Sequence, residues 1–155
     1  TGFARHGCFD LSLRAAGDLE VDAHHTVEDV GIALGQAVRD ALGDKKGITR
    51  FGAALVPMDE TLARVVVDLS GRPYLAYDVR PDTDFVGGLN IRLFREFFRA
   101  LTNTGGMTLH VSLLAGGEPH HALEAVFKAF GRALDTASRL DDRTDNVPST
   151  KGMLA

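Results

Sequence analysis

With 155 residues, 45% of them hydrophobic, the chain can bury one continuous core and falls in the size range of a single domain. A formal net charge of -4 and an isoelectric point near 5.8 exclude the basic footprint of a nucleic-acid binder, and no apolar run approaches the roughly 20 residues needed to cross a bilayer. Cys8 is the sole cysteine, which excludes an internal disulfide; residues 1–9 lack the order of a signal peptide, so a cytoplasmic location is the expectation.

Residues 9–13 (Phe-Asp-Leu-Ser-Leu) alternate apolar and polar, the period of a half-buried strand, and Gly17-Asp18 marks a turn into a short return strand at 19–22. From His24 to Leu42, the residues Val27, Val30, Leu34, Val38 and Leu42 recur at three and four, predicting an amphipathic helix that Gly43 ends. Residues 51–58, 62–69 and 74–79 predict three strands, separated by Asp59-Glu60 and by Ser70-Gly71-Arg72-Pro73. After a polar connection over 80–88, a second helix runs through Phe94, Phe97, Phe98 and Leu101 and closes at Gly105-Gly106. A strand at 107–114, a turn at Gly116-Gly117 and a third helix over 120–140 follow, with Pro119 suited to that helix's first turn. The tail from 141 to 155 is polar and irregular.

The first and third helices are copies of one another. Aligning His24 with His120 matches His25 with His121, Glu28 with Glu124, Val30 with Val126, Ala33 with Ala129, Gly35 with Gly131, Ala37 with Ala133 and Ala41 with Ala137. The segment before each helix matches more loosely, Leu11-Ser12-Leu13 against Val111-Ser112-Leu113. The expected architecture is therefore α+β: two similar sheet-plus-helix halves from an internal duplication (about 8–42 and 107–140), with helices packed on one side of the sheets.

The duplicated element carries His-His-x-x-Glu. On a helix either histidine can reach the glutamate three or four residues on, whereas adjacent histidines diverge by about 100° around the axis. Chelation of one ion by both neighbours is awkward, so the simpler arrangement sends the two histidines of each helix to different ions. Imidazole plus carboxylate suits Mn, Fe, Co, Ni or Zn better than Ca or Mg, and a site without cysteine is unlike structural zinc. A single His-His pair at a helix start is ordinarily inert polar decoration; its recurrence with the glutamate at identical spacing favours a metal site. The order is not His-Glu-x-x-His, so metalloprotease chemistry is not indicated.

At this point the residues resemble a known family. Residues 23–29 (Ala-His-His-Thr-Val-Glu-Asp), 47–52 (Gly-Ile-Thr-Arg-Phe-Gly), 57–60 (Pro-Met-Asp-Glu), 68–73 (Asp-Leu-Ser-Gly-Arg-Pro), 119–124 (Pro-His-His-Ala-Leu-Glu) and 147–152 (Val-Pro-Ser-Thr-Lys-Gly) are similar to the imidazoleglycerol-phosphate dehydratases of histidine biosynthesis. The likeness runs from Thr1 to the end, in the family's order and spacing, as a single domain over 1–155.

The resemblance implies a hydro-lyase with two Mn(II) per active site, other first-row dications being possible, acting on a small phosphorylated substrate. It implies a 24-subunit homo-oligomer with active sites between subunits, a symmetric neighbour supplying what diverging histidines leave open. Its implied ligands are His24, His25, Glu28, His120, His121 and Glu124, with Glu96 standing where members often place a further histidine before Phe97-Phe98. His110 is a possible understudy, though a structural hydrogen bond in a half-buried strand suits it better. Arg50, Arg72, Ser149 and Lys151 match phosphate-binding positions, where cations with a hydroxyl suit a phosphate dianion, and Thr150 is an implied substrate contact beside them. His6, His24, His25, Thr26, Val27 and Glu28 are implied substrate contacts, and Glu28 and Glu124 the catalytic carboxylates present, chiefly as ligands.

The resemblance also implies an N-terminal portion with an active-site glutamate, and about ten residues including Asp-His-Met between Gly2 and Phe3, a loop length that is ordinary. Neither is in the sequence, so a break between Gly2 and Phe3 is expected. The implied reaction converts imidazole glycerol phosphate to imidazole acetol phosphate and water, through an imidazolate held by two ions. Two other readings stay open: a dinuclear metallohydrolase of phosphoesters, and a non-catalytic metal-binding oligomer.

Overall fold

The computed structural model describes residues 2–17, 20, 22–143, 145–150 and 154. In chain order its elements are α1 (Gly2–His6), α2 (His24–Leu42), β1 (Phe51–Met58), β2 (Thr61–Asp68) and β3 (Tyr74–Asp78). There follow β4 (Phe85–Val86), β5 (Leu89–Asn90), α3 (Leu93–Gly105), β6 (Thr108–Ala115) and α4 (Pro119–Ser138). The main sheet has the order β1-β2-β6-β3; β6 runs antiparallel to β2 and parallel to β3.

Alternation decides which face of this sheet is covered. Along β2, Thr61, Ala63, Val65 and Val67 are buried, while Arg64 and Val66 point outward. Helix α4 lies on the inner face and buries Ala125, Val126, Ala129, Phe130, Ala133, Leu134 and Ala137 against the strands. The approach is close because Gly52 has no side chain: a Cβ there would stand 1.9 Å from the Ala133 carbonyl oxygen. On the outer face Phe51, Leu55 and Tyr74 are more than half exposed.

The duplication is visible in how the helices pair. Helix α2 packs on α3 and α4 packs on α1, each through the glycine that the repeat shares. A Cβ on Gly35 would fall 2.6 Å from the Leu101 carbonyl oxygen, and one on Gly131 would fall 2.4 Å from that of Phe3. The fold is α+β, with α3 and α4 packed against one side of the main sheet.

Three expectations need correction. Residues 9–13 form no strand. Their counterpart in the repeat, β6, is flanked by β2 and β3; among the described residues no strand flanks 9–13, so their backbone has no ladder to join and Leu11 and Leu13 stay exposed. Phe9 instead packs on Phe3, and its N–H donates to the Ala4 carbonyl. Second, residues 2–6, for which no element was expected, form α1, and Gly7 N–H donates to the Phe3 carbonyl at 2.9 Å. Third, the connection at 80–88 contains β4, paired with β5. In the expected return strand, Leu19 and Val21 lie outside the described residues, and Glu20 sits in a turn. The described residues of the tail are irregular, and Gly47 anchors them by donating to the Asn146 carbonyl and accepting from Asp141 N–H.

Candidate functional site

Both His-His-x-x-Glu motifs occupy the first turn of a long helix, where free N–H groups favour acidic partners. His24 N–H is taken up by Asp22 Oδ1 at 2.8 Å, and His121 N–H by the Glu118 carboxylate at 2.7 Å, Glu118 being the N-cap of α4. With the backbone satisfied locally, the imidazoles project outward. The first histidine of each pair turns along its own helix: His24 Nε2 is 3.7 Å from Glu28 Oε2, and His120 Nε2 is 3.2 Å from Glu124 Oε2. The second histidine goes elsewhere. Its ring is tilted steeply to its neighbour's, by 85° at His24/His25 and 64° at His120/His121.

His121 points to the β1–β2 turn. Its Nδ1 is 3.0 Å from Glu60 Oε2, and its Nε2 is 3.9 Å from Asp59 Oδ2. Asp59, Glu60 and His121 each offer a ligand atom within 4.8 Å of the others, a donor set that fits a divalent cation. The sequence reading treated Asp59-Glu60 only as a turn and part of a family motif. The turn was a usable signal, because a two-residue hairpin fixes where both carboxylates stand relative to the strand ends.

Electrostatics follow the contacts. The hydrogen bond to Glu60 raises the His121 pKa, and the same bond lowers that of Glu60. Lys128, 2.7 Å from Glu124, holds that carboxyl below the usual carboxylate range, with His120 adding to the effect. Glu124 is thus anionic at neutral pH, as a metal ligand must be.

A second cluster gathers the expected phosphate contacts. Arg50 donates from Nε and Nη2 to the two oxygens of Asp68 and from Nη1 to the Pro148 carbonyl, and lies over the Phe51 ring. Among the described residues, three of its five N–H groups find acceptors and two are left for a ligand. Arg72, 3.9 Å from the same Asp68, is far more exposed. The Pro148 contact brings the chain carrying Ser149 and Thr150 to this cluster, while Lys151 lies outside the described residues. Lys45, buried beside Asp68 and Arg50, has its ammonium pKa lowered by desolvation; sequence reasoning passed over it.

The other expected residues are scattered by comparison. Thr26 and Val27 share an apolar groove of about 600 Å³ with His120 and Glu124, so the first turns of α2 and α4 line one groove. His25 lines a smaller recess of about 340 Å³ with Arg14 and Asp29. His6 is half-exposed at the end of α1. Glu96 pairs with Arg99 at 2.9 Å and lines a cleft with Tyr77, Arg80, Arg92 and Arg95, to which Leu123 of the second motif contributes but none of the motif histidines or glutamates. His110, expected to be half-buried, is exposed on the outer sheet face beside Tyr74.

Comparison with known proteins places this geometry. The family model described as imidazoleglycerol-phosphate dehydratase matches residues 1–134. The imidazoleglycerol-phosphate dehydratase of Acetivibrio thermocellus is 59% identical over 152 residues, covering 98% of this chain and 78% of that protein. That of Heliobacterium modesticaldum is 59% identical over 155 residues, covering 99% and 80%. The crystal structure of the enzyme from Staphylococcus aureus superposes with a TM-score of 0.84 at 44% identity, covering 90% of this chain and 79% of that one. The Pyrococcus furiosus structure gives 0.81 at 37% identity, covering 99% and 82%.

Proposed function

Because the chain belongs to the imidazoleglycerol-phosphate dehydratase family, hydro-lyases of histidine biosynthesis, we propose that it removes water from imidazole glycerol phosphate to give imidazole acetol phosphate. The observation that carries this beyond family membership is the repeated pairing of a helix-start histidine with its glutamate, on two helices whose first turns line one groove.

In this reading His24, His25, Glu28, His120, His121 and Glu124 hold two Mn(II) ions per active site. Glu96 is left out of the set, because it is paired with Arg99 in a cleft that none of those six residues lines. Once bound, the ions supply Lewis acidity and a fixed template at the azole ring. The protein's own side chains do the rest. Arg72 and the two N–H groups of Arg50 that no described residue takes up, with Ser149, Thr150 and Lys151, take the phosphate and fix the distance from it to the ring. His6, Thr26 and Val27 border the substrate. Glu124, its carboxyl held below the usual range by Lys128, stays ionised and so holds charge instead of delivering protons, and Glu28 is its counterpart on α2.

The single domain spans 1–155, with the repeat confined to its helices and their preceding segments. Assembly into a 24-subunit homo-oligomer, with sites between subunits, is supported by the outer sheet face, which leaves Phe51 and Leu55 exposed on one edge strand and Tyr74 on the other. The test is turnover of imidazole glycerol phosphate by the purified protein, with product identified by mass. Dehydration without phosphate release from simple esters is expected. Phosphate release with no dehydration would favour the hydrolase reading.

A further inference from the structure

We propose that Glu60 is a positioning residue for His121: it accepts the Nδ1 proton and so holds the Nε2 lone pair toward a bound cation. The inference rests on the reading of His121 as a metal ligand. A neutral imidazole offers one lone pair, and which nitrogen carries it is set by the hydrogen bond at the other. Ligating histidines commonly give their second N–H to a carboxylate, which fixes the ring and raises its basicity.

The contacts form a continuous relay. Thr61, 1% exposed at the start of β2, donates its hydroxyl to Glu60 Oε1 at 2.9 Å. The other oxygen of Glu60 stands 3.0 Å from His121 Nδ1. The Glu118 carboxylate pins the His121 backbone N–H at 2.7 Å and stands farther from Nδ1, at 4.0 Å, than Glu60 does. The ring is therefore held from a buried strand and from its own helix cap. Met58, paired with Thr61 across the hairpin, leaves only Asp59 and Glu60 in the turn, so Glu60 has little room to wander.

The repeat supplies the contrast. His25 is the counterpart of His121, yet among the described residues no carboxylate lies within ion-pair reach of it. The two halves of the duplication are chemically unequal: one second histidine is held in a single tautomer and its twin is not. Glu60 thus acts on one of the two ions.

Two measurements on the assembled protein test this. Long-range proton–nitrogen NMR of the metal-free protein, well above the imidazole titration range, should show His121 as the Nδ1–H tautomer in wild type. The same spectrum of Glu60→Ala should show a mixture. Mn(II) competition with a chelator should show roughly 10–100-fold weaker binding of one ion in Glu60→Ala, and much less in Glu60→Gln, which keeps an acceptor. The Zn-loaded protein should retain the Nδ1 proton; its disappearance would make Glu60 and Nδ1 joint ligands of an ion and overturn the proposal. Unchanged tautomer and affinity in Glu60→Ala would overturn it too. If instead His121→Ala leaves metal binding intact, the underlying assignment of His121 has failed, an outcome separate from the other two.

Discussion

Arg50 and Asp68 form a two-point pair, Nε to Oδ1 at 2.7 Å and Nη2 to Oδ2 at 3.2 Å, with only 14% and 19% of the two side chains exposed. Arg50 adopts this position with a φ of 71°, a left-handed backbone that costs a non-glycine residue energy. Its main chain compensates by donating to the Ala137 carbonyl and accepting from Leu69 N–H. The guanidinium therefore does two jobs, tying down the loop at Pro148 and presenting its remaining N–H groups.

Arg50 and Arg72 should fail differently. Arg50→Lys loses the fork and should cost about 1–3 kcal/mol of stability as well as substrate affinity. Arg72→Gln, at an exposed position, should leave the urea midpoint unchanged and raise KM on the order of tenfold with a smaller effect on kcat. Denaturation curves and steady-state kinetics on both variants separate the two roles.

Gly52→Ala should destabilise the protein by about 1–3 kcal/mol, as overpacking does, although alanine is otherwise the better residue. The added methyl meets backbone, the Ala133 carbonyl, which no rotamer change relieves. A urea midpoint at or above wild type would show that β1 and α4 can part freely.

His121 gives the metal-free protein a pH signature. Its folded pKa is raised above the ordinary value of 6.5, chiefly by Glu60, so the folded chain binds this proton more tightly than the unfolded one. The resulting stabilisation is fully present below pH 6.5 and is lost as pH rises through the folded value. In chelator, the stability advantage of wild type over His121→Asn should shrink between these limits. An advantage that grows with pH would contradict the Glu60 contact.

Glu96→Gln should leave metal stoichiometry unchanged and mainly loosen the Arg99 contact, which metal analysis of the purified variant checks. Loss of an ion would return Glu96 to the ligand set.

Much of this was readable in advance where chemistry and period coincide. The duplicated motif, the glycine matched at 35 and 131, and the strands from 51 to 79 all announce themselves through fixed spacing. The strand expected at 9–13 misled because alternation describes a side-chain pattern, whereas a strand also needs neighbours. Helix α1 is too short to show a helical period, and Phe3 and the close contact of Gly131 hold it in place. Glu60 escaped notice because its partner lies 61 residues away on another element, a relation that only β-hairpin and helix packing creates.

The central claim is tested most directly by counting metal. Protein stripped with chelator and reloaded with Mn(II) should take up two ions per active site and regain dehydratase activity in step with loading. His24→Ala or His120→Ala should remove both ion and activity. Turnover indifferent to chelation, or two ions still bound when both histidine pairs are replaced, would contradict it.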